Sequence, residues 1–244
     1  MNRKAVIQVR NLVASYGDDI ILDRISFDVY EGEIFAVLGG SGSGKSTLLR
    51  HLLGLDRPAA GEVIIDGDDI STCNEDTLQQ ILRKVGVLYQ SAALFGSMTV
   101  AENVALPILE YTDLPAESVD NLVKIKLNLV NLDGYQNHLP SEISGGMAKR
   151  AALARAIALD PMMMMYDEPF TGQDPISKGV LVKLIHDTNH ALGVTSILVS
   201  HDVEETLSIA DYAIILSKGK VIAQGSADDI KHSTSDYVRQ FVEG

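Results

Sequence analysis

One glycine-rich stretch contains backbone groups and side chains that can bind phosphate. It reads Gly-Gly-Ser-Gly-Ser-Gly-Lys-Ser over residues 39–46. Glycines let the backbone fold closely around an anion, so that peptide N–H groups and a helix N-terminus point at phosphate. Lys45 can reach the β- and γ-phosphates of a nucleotide, and the Ser46 hydroxyl can ligate Mg²⁺. The candidate phosphate-binding residues are Gly39, Gly40, Ser41, Gly42, Ser43, Gly44, Lys45, Ser46 and Thr47.

The residues on either side of this stretch predict the secondary structure that a phosphate loop needs. Residues 34–38 are uniformly apolar, as expected of a strand that is buried on both faces. Residues 47–53 follow with leucines at recurring positions and predict a helix. A loop that is glycine-rich only because it turns sharply is the alternative. The Lys-Ser pair and the two flanking elements favour a nucleotide-phosphate site.

A second stretch, residues 162–168, ends in two neighbouring carboxylates. Four methionines precede them and could also indicate a copper site, since thioethers are suitable ligands for Cu(I). Adjacent side chains on a strand point to opposite faces and cannot converge on one ion, so a buried parallel strand is favoured. Ligands bind at the carboxyl ends of such strands. There Asp167 can bind Mg²⁺, directly or through water, and Glu168 can polarise a water for attack on a γ-phosphate.

Ser144, Gly145 and Gly146 precede a predicted helix over residues 148–158. Free N–H groups and the helix dipole face the same way at a helix start, so this motif is a candidate for a second anion site. Taken alone, the motif is typical of an ordinary capped helix start. Its position relative to Asp167 and Glu168, hereafter the acid pair, is what favours a functional role.

Composition and charge exclude several classes of protein. A net charge of −13 argues against a nucleic-acid-binding surface and would repel anionic lipid headgroups, so any membrane role requires a protein partner. No segment approaches about 18 consecutive apolar residues, so we expect no direct insertion into a membrane. The single Cys73 excludes an internal disulfide. Because the N-terminus resembles no secretory signal, the cytoplasm is the expected compartment.

Apolar periodicity along the chain predicts an α/β fold. Residues 5–30 alternate between apolar and polar, which predicts antiparallel strands with one exposed face. Strands at 162–166 and 196–199 flank a helix at 176–191, and this alternation predicts a parallel sheet with crossover helices. Helix formers dominate residues 92–158. The prediction is one domain over residues 1–244, with a P-loop NTPase core of mixed or parallel sheet over 1–91 and 159–244, an N-terminal antiparallel β subdomain, and an α-helical subdomain inserted at about 92–158.

Taken in order, the motifs resemble those of the nucleotide-binding subunits of ABC transporters. The resemblance covers essentially the whole chain. The matching residues are the loop at 39–46, Gln90 after a strand, Ser144-Gly145-Gly146, Asp167-Glu168, Gly172-Gln173-Asp174 and His201, with Tyr16 at the position of the aromatic that stacks on adenine. Taken alone, Gln90 is typical of a surface glutamine and His201 of a polar residue at a strand end, and only their order among the motifs favours a role.

This resemblance implies how ATP and Mg²⁺ are bound. Two copies of the chain would face head to tail around two ATP molecules, each held by the phosphate loop of one copy and the Ser-Gly-Gly motif of the other. Gln90 would contact Mg²⁺ and the attacking water, His201 would contact the γ-phosphate, and Asp174 would couple the two sites. The expected catalytic residues are Glu168, His201 and Gln90, and the expected metal ligands are Ser46, Gln90 and Asp167.

Two departures from the usual family pattern narrow the resemblance. Met147 follows the Ser-Gly-Gly motif where the family usually has Gln, and Gln173 precedes Asp174 where it usually has Leu. Together with the residues around them, Met147 and Gln173 make the sequence resemble the ATPases of Mla-type phospholipid transporters. This resemblance implies phospholipid transport that serves outer-membrane lipid homeostasis. The implied partners are an integral-membrane permease, a small STAS-domain subunit and a periplasmic MCE-domain protein. This chain would be peripheral, on the cytoplasmic face of the bacterial inner membrane.

Three alternatives to a lipid-transport ATPase follow from the same motifs. The ATPase of an amino-acid or ion importer would have an identical catalytic core, and only Met147, Gln173 and the residues around them favour the lipid transporter. A soluble ATPase acting on ribosomes or DNA usually has tandem cassettes or long coiled-coil insertions, which this chain lacks. A nucleotide-bound scaffold that does not hydrolyse ATP would lack the base, and Glu168 is present.

Residues 92–98 are a candidate contact with the membrane partner. In the family the permease inserts a short helix into a cleft between the core and the helical subdomain, and the resemblance implies that Gln90 and the residues after it form its floor. The segment is apolar yet bracketed by Gly and Ser, which is unusual for a solvent loop. Phe95 is the expected anchor, because aromatic side chains dominate interface energetics. The alternative is a loop folded onto its own core.

Overall fold

Two β-sheets and a set of helices form the part of the chain described by the computed structural model, residues 3–243. Residues 1, 2 and 244 of the predicted domain lie outside the described residues. The strands are β1 (Ala5–Tyr16), β2 (Asp19–Tyr30), β3 (Ile34–Gly39), β4 (Ala60–Ile65), β5 (Asp68–Asp69), β6 (Val85–Leu88), β7 (Met163–Asp167), β8 (Thr195–Ser200), β9 (Tyr212–Ser217) and β10 (Lys220–Ser226). The helices are α1 (Lys45–Leu52), α2 (Glu75–Leu82), α3 (Val100–Tyr111), α4 (Ala116–Leu129), α5 (Gly145–Ala156), α6 (Pro175–Leu192), α7 (Val203–Ile209), α8 (Ala227–Lys231) and α9 (Asp236–Glu243), with a 3₁₀ turn at Pro140–Glu142.

The larger sheet has six strands in the order β10-β9-β3-β8-β7-β6. Neighbours from β9 to β6 are parallel, and β10 pairs antiparallel with β9, which confirms the predicted mixed sheet. β3 is buried along its whole length, as its uniformly apolar sequence predicts. Because parallel strands end at the same edge of a sheet, the residues that follow β3, β7 and β8 lie close together. The candidate site forms at this edge.

The smaller sheet is antiparallel, with the strand order β2-β1-β4-β5. β1 and β2 cover the segment that the sequence predicted as antiparallel strands, so the N-terminal β subdomain is confirmed. Their inward-facing residues, such as Val9 and Phe27, join one apolar cluster with Leu48 of α1 and Met165 of β7. The antiparallel sheet thus packs against the helix that follows the phosphate loop.

Helices α3, α4 and α5 lie between β6 and β7 in the chain, which confirms the inserted helical subdomain. Val104, Leu127 and Leu153, one from each helix, form a single buried cluster with Tyr166 and Leu198 of the six-stranded sheet. The insert therefore shares its core with the sheet instead of enclosing a separate one. Its boundaries at 92 and 158 stay a prediction.

The methionine-rich strand β7 begins at Met163, one residue later than predicted. Met163 and Met165 belong to the apolar cluster on one face of the sheet, and Met164 belongs to the cluster on the other face. Side chains on opposite faces cannot bind a common ion. The alternation agrees with a buried parallel strand and not with a copper site.

Helix boundaries differ from the sequence prediction where a capping residue decides them. α2 begins at Glu75, because Asn74 Oδ1 accepts a hydrogen bond of 2.9 Å from Thr77 N–H. Similarly, α5 begins directly after Ser144. The short helices α7 and α8 are not predicted by the sequence, since so few residues show no apolar period. Within residues 3–243 no helix is long and apolar enough to cross a bilayer.

Candidate functional site

The phosphate loop joins β3 to α1 and is closely packed at its base. Gly42 and Gly44 have φ angles of +74° and +105°, in the left-handed region that glycine adopts readily. A Cβ on Gly39 would lie 2.5 Å from Ser43 Oγ, so no side chain fits there. The tip of the loop, residues 40–42, is exposed. Its backbone is therefore accessible to an anion from solvent.

The Lys45 ammonium lies inside the phosphate loop, and the residue is 6% exposed. Its Nζ donates hydrogen bonds to the carbonyl oxygens of Gly39 (2.7 Å) and Gly40 (3.1 Å). It also lies 3.3 Å from Oε1 of Glu168. A buried cation needs such partners. Phosphate oxygens can replace them, because charge-assisted hydrogen bonds to phosphate are strong.

Glu168 lies one residue beyond the end of β7 and contacts both Lys45 and His201. Its backbone N–H donates a hydrogen bond of 2.9 Å to Val199 O in β8. Its Oε2 accepts a hydrogen bond from His201 N–H (3.1 Å) and lies 2.7 Å from His201 Nδ1. The structure therefore brings together three predicted site residues that are far apart in the sequence.

Asp167 is the last residue of β7 and fits the role of ligand for a divalent cation. Its Oδ1 atom is buried and has no hydrogen-bond partner within residues 3–243. Burial, together with the charge of Glu168, raises the pKa of the Asp167 carboxyl. A bound cation would supply the missing partner and favour the charged carboxylate. Ser46, which the sequence predicts as a metal ligand from the phosphate loop, is exposed in the first turn of α1.

Tyr16 ends β1 with 55% of its surface exposed. Its hydroxyl donates a hydrogen bond of 3.1 Å to Oδ2 of Asp56. Arg50 of α1 binds the same carboxylate through Nε (2.6 Å) and a terminal nitrogen (2.8 Å). These bonds, the one from Arg50 above all, lower the pKa of Asp56 to about 2. The Tyr16 ring is thus held at its hydroxyl end and open on its face.

Ser144, Gly145 and Gly146 form the start of α5. Ser144 Oγ accepts a hydrogen bond of 3.2 Å from Met147 N–H, which caps the helix. Ser144 and Gly145 are exposed. A Cβ on Gly146 would lie 2.7 Å from Ser177 Oγ of α6, so a side chain there would clash with that of Ser177 unless one of them moved. The motif is an ordinary helix cap within the chain, and its exposed amides can also face an anion from outside.

Within residues 3–243, Asp174 and Gln90 make no hydrogen bond or ion pair with Lys45, Glu168 or His201. Asp174 caps α6, because its Oδ1 accepts hydrogen bonds of 3.0 Å from the N–H groups of Ile176 and Ser177. Hydrogen bonds from Ser177, with that from the Ile176 backbone, hold the pKa of Asp174 below its ordinary value. Gln90 is exposed after β6, and its side chain makes no hydrogen bond within the described residues. Coupling by Asp174 and metal contact by Gln90 stay predictions.

Comparison with known proteins gives the family. The ABC transporter family model matches residues 22–171. The chain belongs to the ABC transporter family. The intermembrane phospholipid transport system ATP-binding protein MlaF of Haemophilus influenzae is 49% identical, over 98% of this chain and 90% of that protein. MlaF of Escherichia coli K12 is 48% identical, over 98% of this chain and 89% of that protein.

A solved structure extends the comparison to the fold. The dimeric ATP-binding cassette MJ0796, in a post-hydrolysis state bound to ADP and Pi, matches with a TM-score of 0.83 and 30% identity, over 91% of this chain and 98% of that one. The predicted P-loop ATPase fold of an ABC transporter is confirmed, and so is the resemblance to Mla-type ATPases.

A cleft of about 830 Å³ in this ABC subunit lies between α2 and β6 on one side and α3 and α5 on the other. Phe95 lines it and is 53% exposed, whereas Ala92 and Leu94 of the same loop pack on the buried core, so the alternative holds for part of the loop and not for Phe95. Tyr89, rather than Gln90, lines the cleft beside Phe95. Successive side chains at a strand end point to opposite sides, which explains why the neighbour of the predicted residue faces the cleft.

Arg50, Asp56 and Lys149 lie at the site in the structure, although they belong to no sequence motif. Arg50 and Asp56 hold the Tyr16 hydroxyl, a contact between distant segments that leaves no motif. Lys149 Nζ donates a hydrogen bond of 3.5 Å to the Glu168 carbonyl oxygen. A signal for Lys149 does exist in the sequence, because a lysine one helical turn before Leu153 lies on the buried face of α5.

Proposed function

We propose that this chain is the ATP-hydrolysing subunit of an Mla-type phospholipid transporter. The observation that supports this most is its 49% identity, over 98% of the chain, with the ATP-binding protein of an intermembrane phospholipid transport system in Haemophilus influenzae. The contacts of Glu168 with Lys45 and His201 support the chemical step.

Hydrolysis needs a water in line with the γ-phosphate and a group that accepts its proton. Glu168 is that group, because His201 holds one of its oxygens and the other faces Lys45 at 3.3 Å. When ATP enters the loop, its phosphates attract Lys45, which leaves Oε1 of Glu168 free for the water. The water oxygen bonds to the γ-phosphorus as the bond to the bridging oxygen of ADP breaks. The water proton passes to Glu168, while His201 contacts the γ-phosphate.

Mg²⁺ is the proposed cofactor, with Ser46, Asp167 and Gln90 as its ligands. The buried Oδ1 of Asp167, which lacks a hydrogen-bond partner in residues 3–243, supports this assignment. Bound Mg²⁺ would neutralise charge on the β- and γ-phosphate oxygens. Tyr16 stacks on adenine, and its 55% exposure leaves the ring face available for that contact.

Two copies of the chain bind two ATP molecules head to tail in this proposal. The start of α5, exposed at Ser144 and Gly145, contacts the nucleotide held by the other copy. Ile176 supports an interface near Asp174, since this large apolar side chain is 81% exposed at the start of α6. Asp174 couples the two sites across that interface. The dimeric state of the MJ0796 cassette agrees with the arrangement.

The cleft beside β6 receives a helix of an integral-membrane permease, with Phe95 as its anchor. The two walls of the cleft belong to the proposed core (1–91 and 159–244) and to the proposed insert (about 92–158). A STAS-domain subunit and a periplasmic MCE-domain protein complete the transporter, and the chain is peripheral on the cytoplasmic face of the inner membrane. The similarity to the two MlaF proteins supports these partners.

Co-purification from membranes tests the proposal. The full chain is isolated with its bound subunits, and mass spectrometry identifies the proteins and lipids. We expect a permease, the two accessory subunits and phospholipid. The complex should then move fluorescent phospholipid between vesicles only with ATP, and a complex with Glu168→Gln should not. Recovery of the permease and solute-binding protein of an amino-acid or ion importer would contradict phospholipid transport while leaving ATP hydrolysis intact.

A further inference from the structure

Lys149 is a buried lysine of α5 whose ammonium lies against the acid pair. The residue is 4% exposed, and its Nζ donates a hydrogen bond of 3.5 Å to the Glu168 carbonyl oxygen. Burial lowers the pKa of Lys149, and the charges of Asp167 and Glu168 oppose that shift. A buried cation is retained where nearby groups compensate its loss of water. The acid pair provides that compensation.

The backbone at Glu168 needs support from its surroundings. Its φ of +46° is in the left-handed region, which residues with a Cβ rarely adopt and which persists where neighbouring contacts hold it. Its N–H is tied to Val199 of β8. Its carbonyl oxygen accepts hydrogen bonds from Thr171 N–H (3.3 Å) and from Lys149 Nζ (3.5 Å). Of these contacts, only the one from Lys149 adds a charge and comes from the helical insert.

The acid pair has a lysine on either side. Lys45 lies 3.3 Å from Glu168 Oε1, and ATP phosphates are expected to attract its ammonium. Lys149 approaches from the backbone side and is enclosed in the protein, so it stays in place when the phosphate loop is filled. When ATP is bound, Lys149 is therefore the lysine that balances the charges of the Asp167 and Glu168 carboxylates.

We propose that Lys149 is a positioning residue for hydrolysis, which holds the turn that directs the Glu168 carboxylate and links it to the start of α5. Lys149 follows Gly145 by one helical turn and lies on the same side of the helix. A movement at the Ser144–Gly146 motif therefore reaches the Glu168 carbonyl through a single side chain. The inference rests on the proposed function, in which Glu168 is the base and this motif contacts the second nucleotide.

The test compares Lys149→Met with Lys149→Arg in the intact transporter complex. Methionine keeps the length and apolar stem and removes the charge, whereas arginine keeps a cation that can donate to the same carbonyl. We expect Lys149→Met to lower kcat by about 10²-fold with the KM for ATP changed less than about threefold, as for a misplaced catalytic group. Lys149→Arg should recover most of that loss.

Lys126→Met is the matched control, because Lys126 is the other buried lysine of the helical insert. It is 3% exposed and pairs with Asp160, away from the acid pair. We expect it to lower thermal stability without lowering kcat. A wild-type kcat in Lys149→Met, or an equal loss of kcat in the control, would overturn the proposal. If Lys149→Met does not fold, Lys149→Gln replaces it under the same criteria.

A double variant separates this inference from the proposed function. If Lys149 acts through Glu168, Lys149→Met should change turnover little in the Glu168→Gln background. A full multiplicative loss there would show that Lys149 acts elsewhere and overturn its positioning role. Wild-type turnover in Glu168→Gln alone would instead remove Glu168 as the base, which is a failure of the proposed mechanism.

Discussion

At the scale of single residues, Glu168 is held by partners on both of its carboxylate oxygens, Lys45 and His201. We expect Glu168→Gln to keep ATP binding and to slow hydrolysis by roughly 10²- to 10⁴-fold, the usual contribution of a general base. Glutamine can still accept the hydrogen bond from His201 N–H, but it cannot take a proton. Phosphate release by the purified complex measures turnover, and a fluorescent ATP analogue measures binding. Lys45→Ala provides the contrast, because losing a phosphate-directed charge should weaken binding itself.

Tyr16 is hydrogen-bonded through its hydroxyl and has 55% of its surface exposed, so its ring and its hydroxyl can be tested separately. We expect Tyr16→Ala to raise the apparent KM for ATP by up to about tenfold, because stacking contributes on the order of 1 kcal/mol. Tyr16→Trp should be tolerated. Tyr16→Phe, which loses only the exposed bond to Asp56, should stay near the wild-type KM. Steady-state kinetics of the complex measures these KM values. An equal rise in KM with alanine and with tryptophan would indicate that Tyr16 has a packing role.

The sequence predicts those site residues that belong to contiguous motifs. Lys45 and Glu168 follow strands whose apolar runs are plain in the sequence, and the sheet order then places them together. Asp56 acts through a contact between segments that are distant in the chain, so no local pattern reports it. For Lys149 the sequence shows only its place on the buried face of α5, and not its contact with Glu168. The sequence does not predict the left-handed backbone conformation of Glu168 either, because that conformation depends on contacts with the neighbouring strand and with α5.

At the scale of elements, the loop at residues 92–98 is shaped by Asn103, a fully buried residue of α3. Its Oδ1 accepts a hydrogen bond from Phe95 N–H (2.8 Å), and its Nδ2 donates to the carbonyl oxygens of Phe95 (3.1 Å), Met98 (3.1 Å) and Thr99 (3.0 Å). We expect Asn103→Ala to lower the free energy of unfolding by about 1–3 kcal/mol, because buried backbone groups lose their partner. Urea denaturation of the isolated subunit measures the loss.

An exposed asparagine gives the control for this loop. Asn121 lies on the outer face of α4. Asn121→Ala should stay within about 0.5 kcal/mol of the wild type, as most surface substitutions do. If Asn103→Ala were equally neutral, the backbone bonds of the loop would not depend on Asn103.

Elements with a clear period or a long apolar run are predicted well by the sequence, and elements set by tertiary contacts are not. The alternation in β1 and β2 and the apolar run of β3 appear as expected. Helix starts are less predictable, because a cap such as Asn74 decides them by one hydrogen bond. The course of residues 92–98 depends on Asn103 and on Arg155, which donates to the carbonyl oxygens of Ala92 and Ala93.

Two properties of the molecule taken together, its acidic charge and its cleft, bear on the proposed attachment to a membrane permease. A net charge of −13 does not favour binding to anionic lipid, which agrees with the proposed attachment through a protein. The cleft of about 830 Å³ beside β6 offers Phe95 and Tyr89 to such a partner. The sequence predicts the segment and its anchor, but the cleft itself depends on how the insert packs against the sheet.

Phe95→Asp tests this attachment. The backbone of Phe95 is bound by Asn103, while its side chain is 53% exposed, so the variant should fold and bind ATP alone. An aspartate would place an unpaired charge where the partner needs apolar surface, and removing such a charge from water is costly. We therefore expect loss of co-purification with the permease and loss of lipid transport, with ATP binding by the isolated subunit unchanged.

Ile222→Asp is the matched control for this variant. Ile222 is 41% exposed on β10, at the edge of the six-stranded sheet opposite β6, so the same charge is introduced far from the cleft. This variant should assemble with the permease like the wild type. If both variants lost the permease, added negative charge would explain the effect without a docking site. Insolubility of Phe95→Asp alone would show that the subunit needs Phe95 for folding, and would contradict its assignment as a docking anchor.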